Sequence, residues 1–309
     1  MSVLIVGSVA LDDIETPHGV KAGIQGGSAS YAGTSASYFA PVGIVGIVGD
    51  DYPKRYLNYF KKRNIDLTGL EIVKGGKTFH WSGYYEANDL NSAVSRDTQL
   101  NVFENFDPKL PEQYRDADYI LLGNILPQLQ LKVLDQVRKP KLVLLDTMNF
   151  WITGMRDELL KVFKRVDLVC INDGEARMLC DESNLIQCGR QILRMGPKYV
   201  VIKKGEHGAM LMSKKMLFLA PAYPLDKVVD PTGAGDTFAG GFLGYLDQKK
   251  TLTEDTLKQA VLAGTTMASY CCQGFGIDKT AKLKAQEIQQ RLDELRALAD
   301  YKKIRPRIR

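Results

Sequence analysis

VVDPTGAGDTFAGGFLGYL, residues 228–246, sets two aspartates, Asp230 and Asp236, around a run of small residues where a helix begins. Beyond Asp236 the apolar residues Phe238, Phe242, Tyr245 and Leu246 recur at i, i+4, i+7 and i+8, one face of a helix, so Asp236 falls in the first turn. The first backbone N–H groups of a helix have no internal partner and its dipole is positive there, so Gly233, Ala234 and Gly235 can present amides to an anion. A carboxylate beside such a hole repels phosphate. It makes sense if Asp236 takes the proton of a hydroxyl attacking a bound phosphoryl group. The competing reading is a turn at Asp230-Pro231-Thr232, with Asp236 merely offsetting the dipole.

The same alternation of short and long patterns runs outward from this segment. VLIV (3–6), GIVGIV (43–48), YILLG (119–123), KLVLLD (141–146), DLVCI (167–171) and YVVIK (199–203) read as strands buried on both faces. Helical stretches such as 51–63 and 129–139 lie between them, which predicts an α/β fold with a parallel sheet covered by helices. Ile288, Leu292, Leu295 and Ala299 form a packing stripe on a late helix. Between about Gly76 and Phe106 the pattern changes: Phe79, Trp81, Gly83 and Tyr85 alternate with His80, Ser82 and Tyr84, the period of a half-exposed strand. With no linker composition and no internal repeat, residues 1–309 read as one domain carrying a small β flap.

Composition narrows the class. At 309 residues, 45% apolar and 25% charged, the balance is that of a globular chain. No apolar run approaches the roughly 18 residues of a membrane span, and the start lacks a basic segment and cleavage site, so a cytoplasmic protein without membrane partners is expected. Five cysteines without a CxxC pair read as buried free thiols. The net charge of +5 lies in the final KKIRPRIR, 302–309, which reads as a solvated terminus rather than a nucleic-acid module. Competing motifs fail: no GxGxxG follows the first strand, and VKGGKT (73–78) would place a P-loop's first glycine at Glu71. The three histidines have no metal-ligand spacing.

DPTGAGDTFAGGFL resembles the C-terminal signature of the ribokinase-like (PfkB) carbohydrate and nucleoside kinases. Three further elements agree in order: the glycine pair Gly26-Gly27 in QGGSASYAG, an N-x-x-E element at Asn172 and Glu175, and a G-x-x-G loop at Gly205 and Gly208. The resemblance implies a three-layer α/β/α sandwich with a β lid, formed here by roughly 12–22 and 76–106, and transfer of the ATP γ-phosphoryl group to an alcohol. Asp236 matches the catalytic base, and Gly233, Ala234 and Gly235 the anion hole. Asn172 and Glu175 match residues that organise Mg2+, mostly through water, although an N-x-x-E pair at a strand end also reads as a helix cap. Asp230 matches a position that helps form a monovalent-cation site, potassium in many members; Pro231 departs from the usual threonine.

Lys203 and Lys204 precede the nucleotide glycines, where a lysine reaches ATP phosphates as a point charge or else forms a solvated pair. Asp12 aligns with the family aspartate that grips sugar hydroxyls, with Asp13 as the alternative. Tyr31 holds the place of the family's substrate-contacting asparagine. Ser28 stands where sugar-phosphate kinases carry lysine, which implies a neutral acceptor, a sugar first and a nucleoside second. A catalytically silent nucleotide or sugar sensor is the rival class, disfavoured by the joint presence of Asp236, Asn172 and Glu175. Phe79, Trp81 and Tyr85 suit a sugar, a nucleobase or lid packing equally. Asp146 and Asn149 lie where ligands gather at strand ends. Family lids often pair between subunits, which implies a homodimer through the lid.

Overall fold

The computed structural model describes residues 2–298; the basic tail and Ala299 of the helical stripe lie outside the described residues. The strands are β1 (Val3–Val6), β2 (Ala10–Thr16), β3 (Gly19–Gly26), β4 (Val42–Gly49), β5 (Asp66–Val73), β6 (Phe79–Glu86) and β7 (Asp89–Gln99). They continue as β8 (Tyr119–Leu122), β9 (Leu142–Asp146), β10 (Leu168–Asn172), β11 (Tyr199–Lys203), β12 (Ala209–Met212) and β13 (Leu217–Ala220). Nine of them form one sheet in the order β13-β12-β11-β10-β9-β8-β1-β4-β5, parallel from β11 to β5, with β12 and β13 antiparallel at one edge.

Period-two alternation in these strands divides the interior into two cores. Val3, Ile5, Tyr119, Leu121, Leu142, Leu144, Leu168 and Cys170 point to one face, while Leu4, Val6, Ile120, Leu122, Val143, Leu145, Val169 and Ile171 point to the other. Strands covered on both sides must be apolar at every position, which is why these segments could be recognised. Each fully buried aliphatic side chain contributes about 1.5–3 kcal/mol of transfer free energy. The expected helices form at Lys54–Lys62 and Pro127–Leu134, the second ending five residues before its apolar pattern does. Ile288 and Leu295 are buried on the helix Ala285–Ala297, as the stripe predicts.

Chain order reverses beside β1: β4 and β5 are added on one side, β8 through β11 on the other. The carboxyl ends of β1 and β8 therefore bound a switch-point crevice, where parallel α/β sheets bind ligands. Gly7, Gly123 and Ser28 line it closely, with Ser28 Oγ 2.8 Å from where a Cβ on Gly123 would sit. A second sheet, ordered β3-β2-β6-β7, stands over this end. Its strands begin at Ala10 rather than 12 and stop at Gln99, with a 3-10 turn at Asn101–Asn105 completing the excursion.

Candidate active site

The helix Ala234–Lys249 starts at Gly233, whose φ of 73° is left-handed. A Cβ there would overlap the ring of Tyr31, so the turn is built for glycine on two counts. Asp236 lies in the first turn, as expected. Phe238, Phe242 and Leu246 are buried along the predicted face. The later glycines serve packing rather than phosphate: Cβ atoms on Gly240 and Gly244 would press into the backbone of Ala32 and Ala36 on the helix Ser28–Ala36.

Asp236 faces a cluster assembled from three adjacent strand ends. Asp146 closes β9, Asn172 closes β10 and Lys203 closes β11. Lys203 Nζ lies 3.2 Å from Asp146 Oδ1, with the two side chains only 18% and 10% exposed. The same ammonium would sit 2.8 Å from a Cβ on Gly235, so it lies against the first turn of the helix. Burial, then the charges of Asp146 and Glu175, push the Asp236 carboxyl well up, with Lys203 opposing. Burial would pull Lys203 down, but Asp146, Cys170, Glu175 and Asp236 together hold its ammonium above the ordinary value. Burial likewise pushes Glu175 up to about 7, with Lys203 opposing and Asp146 reinforcing.

Asn172 and Glu175 form a reciprocal capping box on the helix Asp173–Cys180. Glu175 N donates to Asn172 Oδ1 at 2.7 Å, and Asn172 N donates to Glu175 Oε2 at 2.8 Å. The capping reading is realised, and it fixes Glu175 beside the lysine. Among the described residues no three His, Cys, Asp or Glu side chains converge as a metal site. Three carboxylates nonetheless surround one ammonium, leaving surplus negative charge.

On the other side of the turn, Asp12 is 4% exposed, with the Gly27 amide opposing the rise in its pKa. A Cβ on Gly26 would overlap the Asp12 carboxylate. The glycine pair therefore seats Asp12. Burial, followed by Asp230, Asp236 and Asp13, pushes Asp12 far up; every charge named is an acid. Asp13 turns away, accepting from Gly23 N at 2.7 Å and lying 3.3 Å from His80 Nε2. Tyr31, expected at the acceptor, is 2% exposed with its ring beneath Gly233, within reach of the charges of Asp12 and Asp230, and its buried hydroxyl has no partner among the described residues. Asp230 is wholly buried, and its two oxygens accept from Thr232 N at 2.9 Å and Gly276 N at 3.0 Å. Two backbone amides thus account for Asp230 as a pin for the turn.

The second sheet reaches both loops. Thr232 Oγ1 donates to Tyr85 Oη at 3.1 Å, and Thr16 Oγ1 donates to Val229 O at 2.8 Å. At the hairpin tip, Asn91 Nδ2 donates to Glu206 Oε2 at 3.0 Å inside the Gly205–Gly208 loop. Sequence reasoning missed all three contacts, because their partners lie more than 100 residues apart. Of the three flap aromatics, Tyr85 is thus occupied and Phe79 packs on Phe103 with centroids 5.4 Å apart. Trp81, paired in backbone register with Asp12, is half-exposed, with its ring over Gly83 and its Nε1 donating to Ser95 Oγ of β7 at 3.0 Å.

A helix start headed by Gly233 with Asp236 in its first turn, and a second buried acid, Asp12, on the other side of that turn, are an arrangement suited to a small-molecule kinase. The chain belongs to the pfkB family of carbohydrate kinases, whose model matches residues 12–282. It is an ATP-dependent phosphotransferase of the ribokinase-like fold. The cytidine kinase of Thermococcus kodakarensis is 32% identical over 261 residues, 82% of this chain and 91% of that protein. A nucleoside kinase of Methanocaldococcus jannaschii superposes with a TM-score of 0.76 at 19% identity, over 95% of this chain and 99% of that one. The Burkholderia thailandensis nucleoside kinase in complex with inosine gives 0.77 at 18% identity, over 95% and 98%. At that identity the two structures speak for the fold.

Proposed function

We propose that this kinase phosphorylates a neutral, ribose-bearing acceptor, a nucleoside ahead of a free sugar. The carrying observation is the placement of the buried Asp12, seated against Gly26, and of Asp236, in the first turn of the helix headed by Gly233, close enough that the Asp236 charge raises Asp12. Asp12 accepts hydrogen bonds from two neighbouring acceptor hydroxyls, and Asp236 takes the proton of the attacking one. The amides of Gly233, Ala234 and Gly235 and the Lys203 ammonium receive the phosphoryl group, while the Gly205–Gly208 loop holds the nucleotide.

A phosphorylated acceptor would bring its charge against Asp12, Asp230 and Asp236. Each such pair costs on the order of 2–4 kcal/mol at a few Å and an effective dielectric near 20. The cytidine kinase relative supports a nucleoside ahead of a free sugar. Mg2+ fits as a hydrated ion arriving with ATP: it would offset the surplus of Asp146, Glu175 and Asp236, with Glu175 and Asn172 nearest to its water shell. When bound it supplies charge neutralisation at the phosphates.

We read residues 1–309 as one domain whose second sheet is the lid. Tyr85, Thr16 and Asn91 fasten it to the catalytic and nucleotide loops, which excludes water from the reacting phosphoryl group. Tyr85→Phe is expected to raise ATP hydrolysis relative to transfer severalfold, read as ADP release without acceptor. An unchanged ratio would remove Tyr85 from the closure.

The function is tested by following ATP consumption with cytidine, adenosine, inosine, ribose, inositols and sugar phosphates. A nucleoside is expected to show the highest kcat/KM. A sugar phosphate as the best acceptor would overturn the proposal. With the best acceptor, Asp12→Asn is expected to raise acceptor KM by about 10–100-fold, the loss of a charge-assisted hydrogen bond. The KM of ATP stays constant.

A further inference from the structure

We propose that Asp146 is a positioning residue for phosphoryl transfer: it tethers the Lys203 ammonium across the end of β10 and holds that charge against the first turn of the catalytic helix. The proposal rests on the kinase reading above.

Asp146 and Lys203 start on strands separated by β10, a gap of about 9–10 Å between backbones. Asp146 pairs in register with Cys170, and Lys203 with Asn172. Alternation puts Asp146, Cys170 and Lys203 on the same face as Leu144, Leu168 and Val201, the face covered by the helix Ala234–Lys249. The small Cys170 thiol leaves room above β10, and the two side chains meet there at 3.2 Å. Burial pushes the Cys170 thiol up, with Lys203 opposing and Asp146 reinforcing, as befits a group beneath the bridge.

Without Asp146 a lysine this deep would turn toward solvent or toward Asp236 and Glu175. Either movement takes the ammonium off Gly235. A recessed ion pair is a poor stabiliser, since desolvation cancels most of its Coulomb energy. Its geometry suits a different use, a fixed cation where phosphate charge arrives.

The test measures AMP-PNP and ADP affinity by calorimetry with Mg2+ and no acceptor, for wild type, Asp146→Asn, Lys203→Met and the double variant. AMP-PNP carries the third phosphoryl group and ADP does not. AMP-PNP is expected to weaken by about 10-fold in Asp146→Asn and about 100-fold in Lys203→Met, with ADP changed by less than about threefold. The double variant matches Lys203→Met within about twofold, because Asp146 acts only through the lysine. A merely structural role weakens both nucleotides alike, and that result overturns the proposal. So does a double variant about tenfold weaker than Lys203→Met. Where Asp146→Asn does not fold, Asp146→Glu takes its place: it keeps the buried pair charged but displaces the carboxylate by one methylene, and the same selective weakening of AMP-PNP over ADP is expected, with an unchanged AMP-PNP affinity overturning the tether. Wild type that binds neither nucleotide contradicts the kinase reading. Wild type that binds both, with Asp146→Asn unchanged, contradicts the tether alone.

Discussion

Asp236→Asn is expected to lower kcat by about a hundredfold or more while nucleotide affinity holds, in line with the loss of a general base. The amide keeps the shape of the carboxylate but cannot take the hydroxyl proton. The same substitution is expected to raise the melting temperature of the ligand-free protein at pH 8. Asp236 has a folded carboxyl raised above its unfolded value near 4, so its stabilising contribution is complete below that value. It is lost as the pH rises through the raised value, and at pH 8 the recessed charge is a net cost that asparagine removes. Thermal melts at pH 5 and pH 8 check this: the gain appears at pH 8 and shrinks at pH 5. A variant that is both inactive and less stable at pH 8 would point to a structural role.

Gly233→Ala has the second largest expected effect. At φ 73° an L-residue pays about 1–2 kcal/mol, and overlap with the buried Tyr31 ring adds about 1–3 kcal/mol. The sum is a large part of the roughly 5–15 kcal/mol that holds a domain together. Melting is expected to fall by roughly 5–15 °C, and kcat falls with it because the amides of the turn move. Adding Tyr31→Ala removes the overlap and leaves the φ penalty, so the double variant recovers part of the loss. A Gly233→Ala protein with wild-type melting and turnover would show that the turn is not constrained as described.

The sheet was legible where its strands are sealed on both faces, since such segments cannot contain a polar residue without a partner. β5, with the sequence DLTGLEIV, escaped because it lies at an edge, half-exposed, and mixes polar with apolar residues. β12 and β13 escaped as four-residue hairpin strands. The helix start at Gly233 with Asp236 in its first turn was legible because both its parts lie within four consecutive residues. Asp146 carried little weight in the sequence since its meaning comes from Lys203, 57 residues away. The packing of the Tyr31 ring beneath Gly233 was not legible, because no local pattern announces a contact between residues 202 positions apart. Gly26 and Gly27 were expected at the acceptor. The smallness of Gly26 is explained by the Asp12 carboxylate lodged against it, and that of Gly27 by its φ of +89° and the backbone of Ser8 and Ala10 pressed against it.

The measurement closest to the chemistry is the pH dependence of single-turnover phosphoryl transfer, at saturating ATP, Mg2+ and the best acceptor, for wild type and Asp236→Asn. Wild type is predicted to lose activity tenfold per pH unit on the acid side, as one carboxylate takes up a proton, and Asp236→Asn is predicted to be slow and flat there. The same acid limb in both proteins would show that some other group accepts the proton.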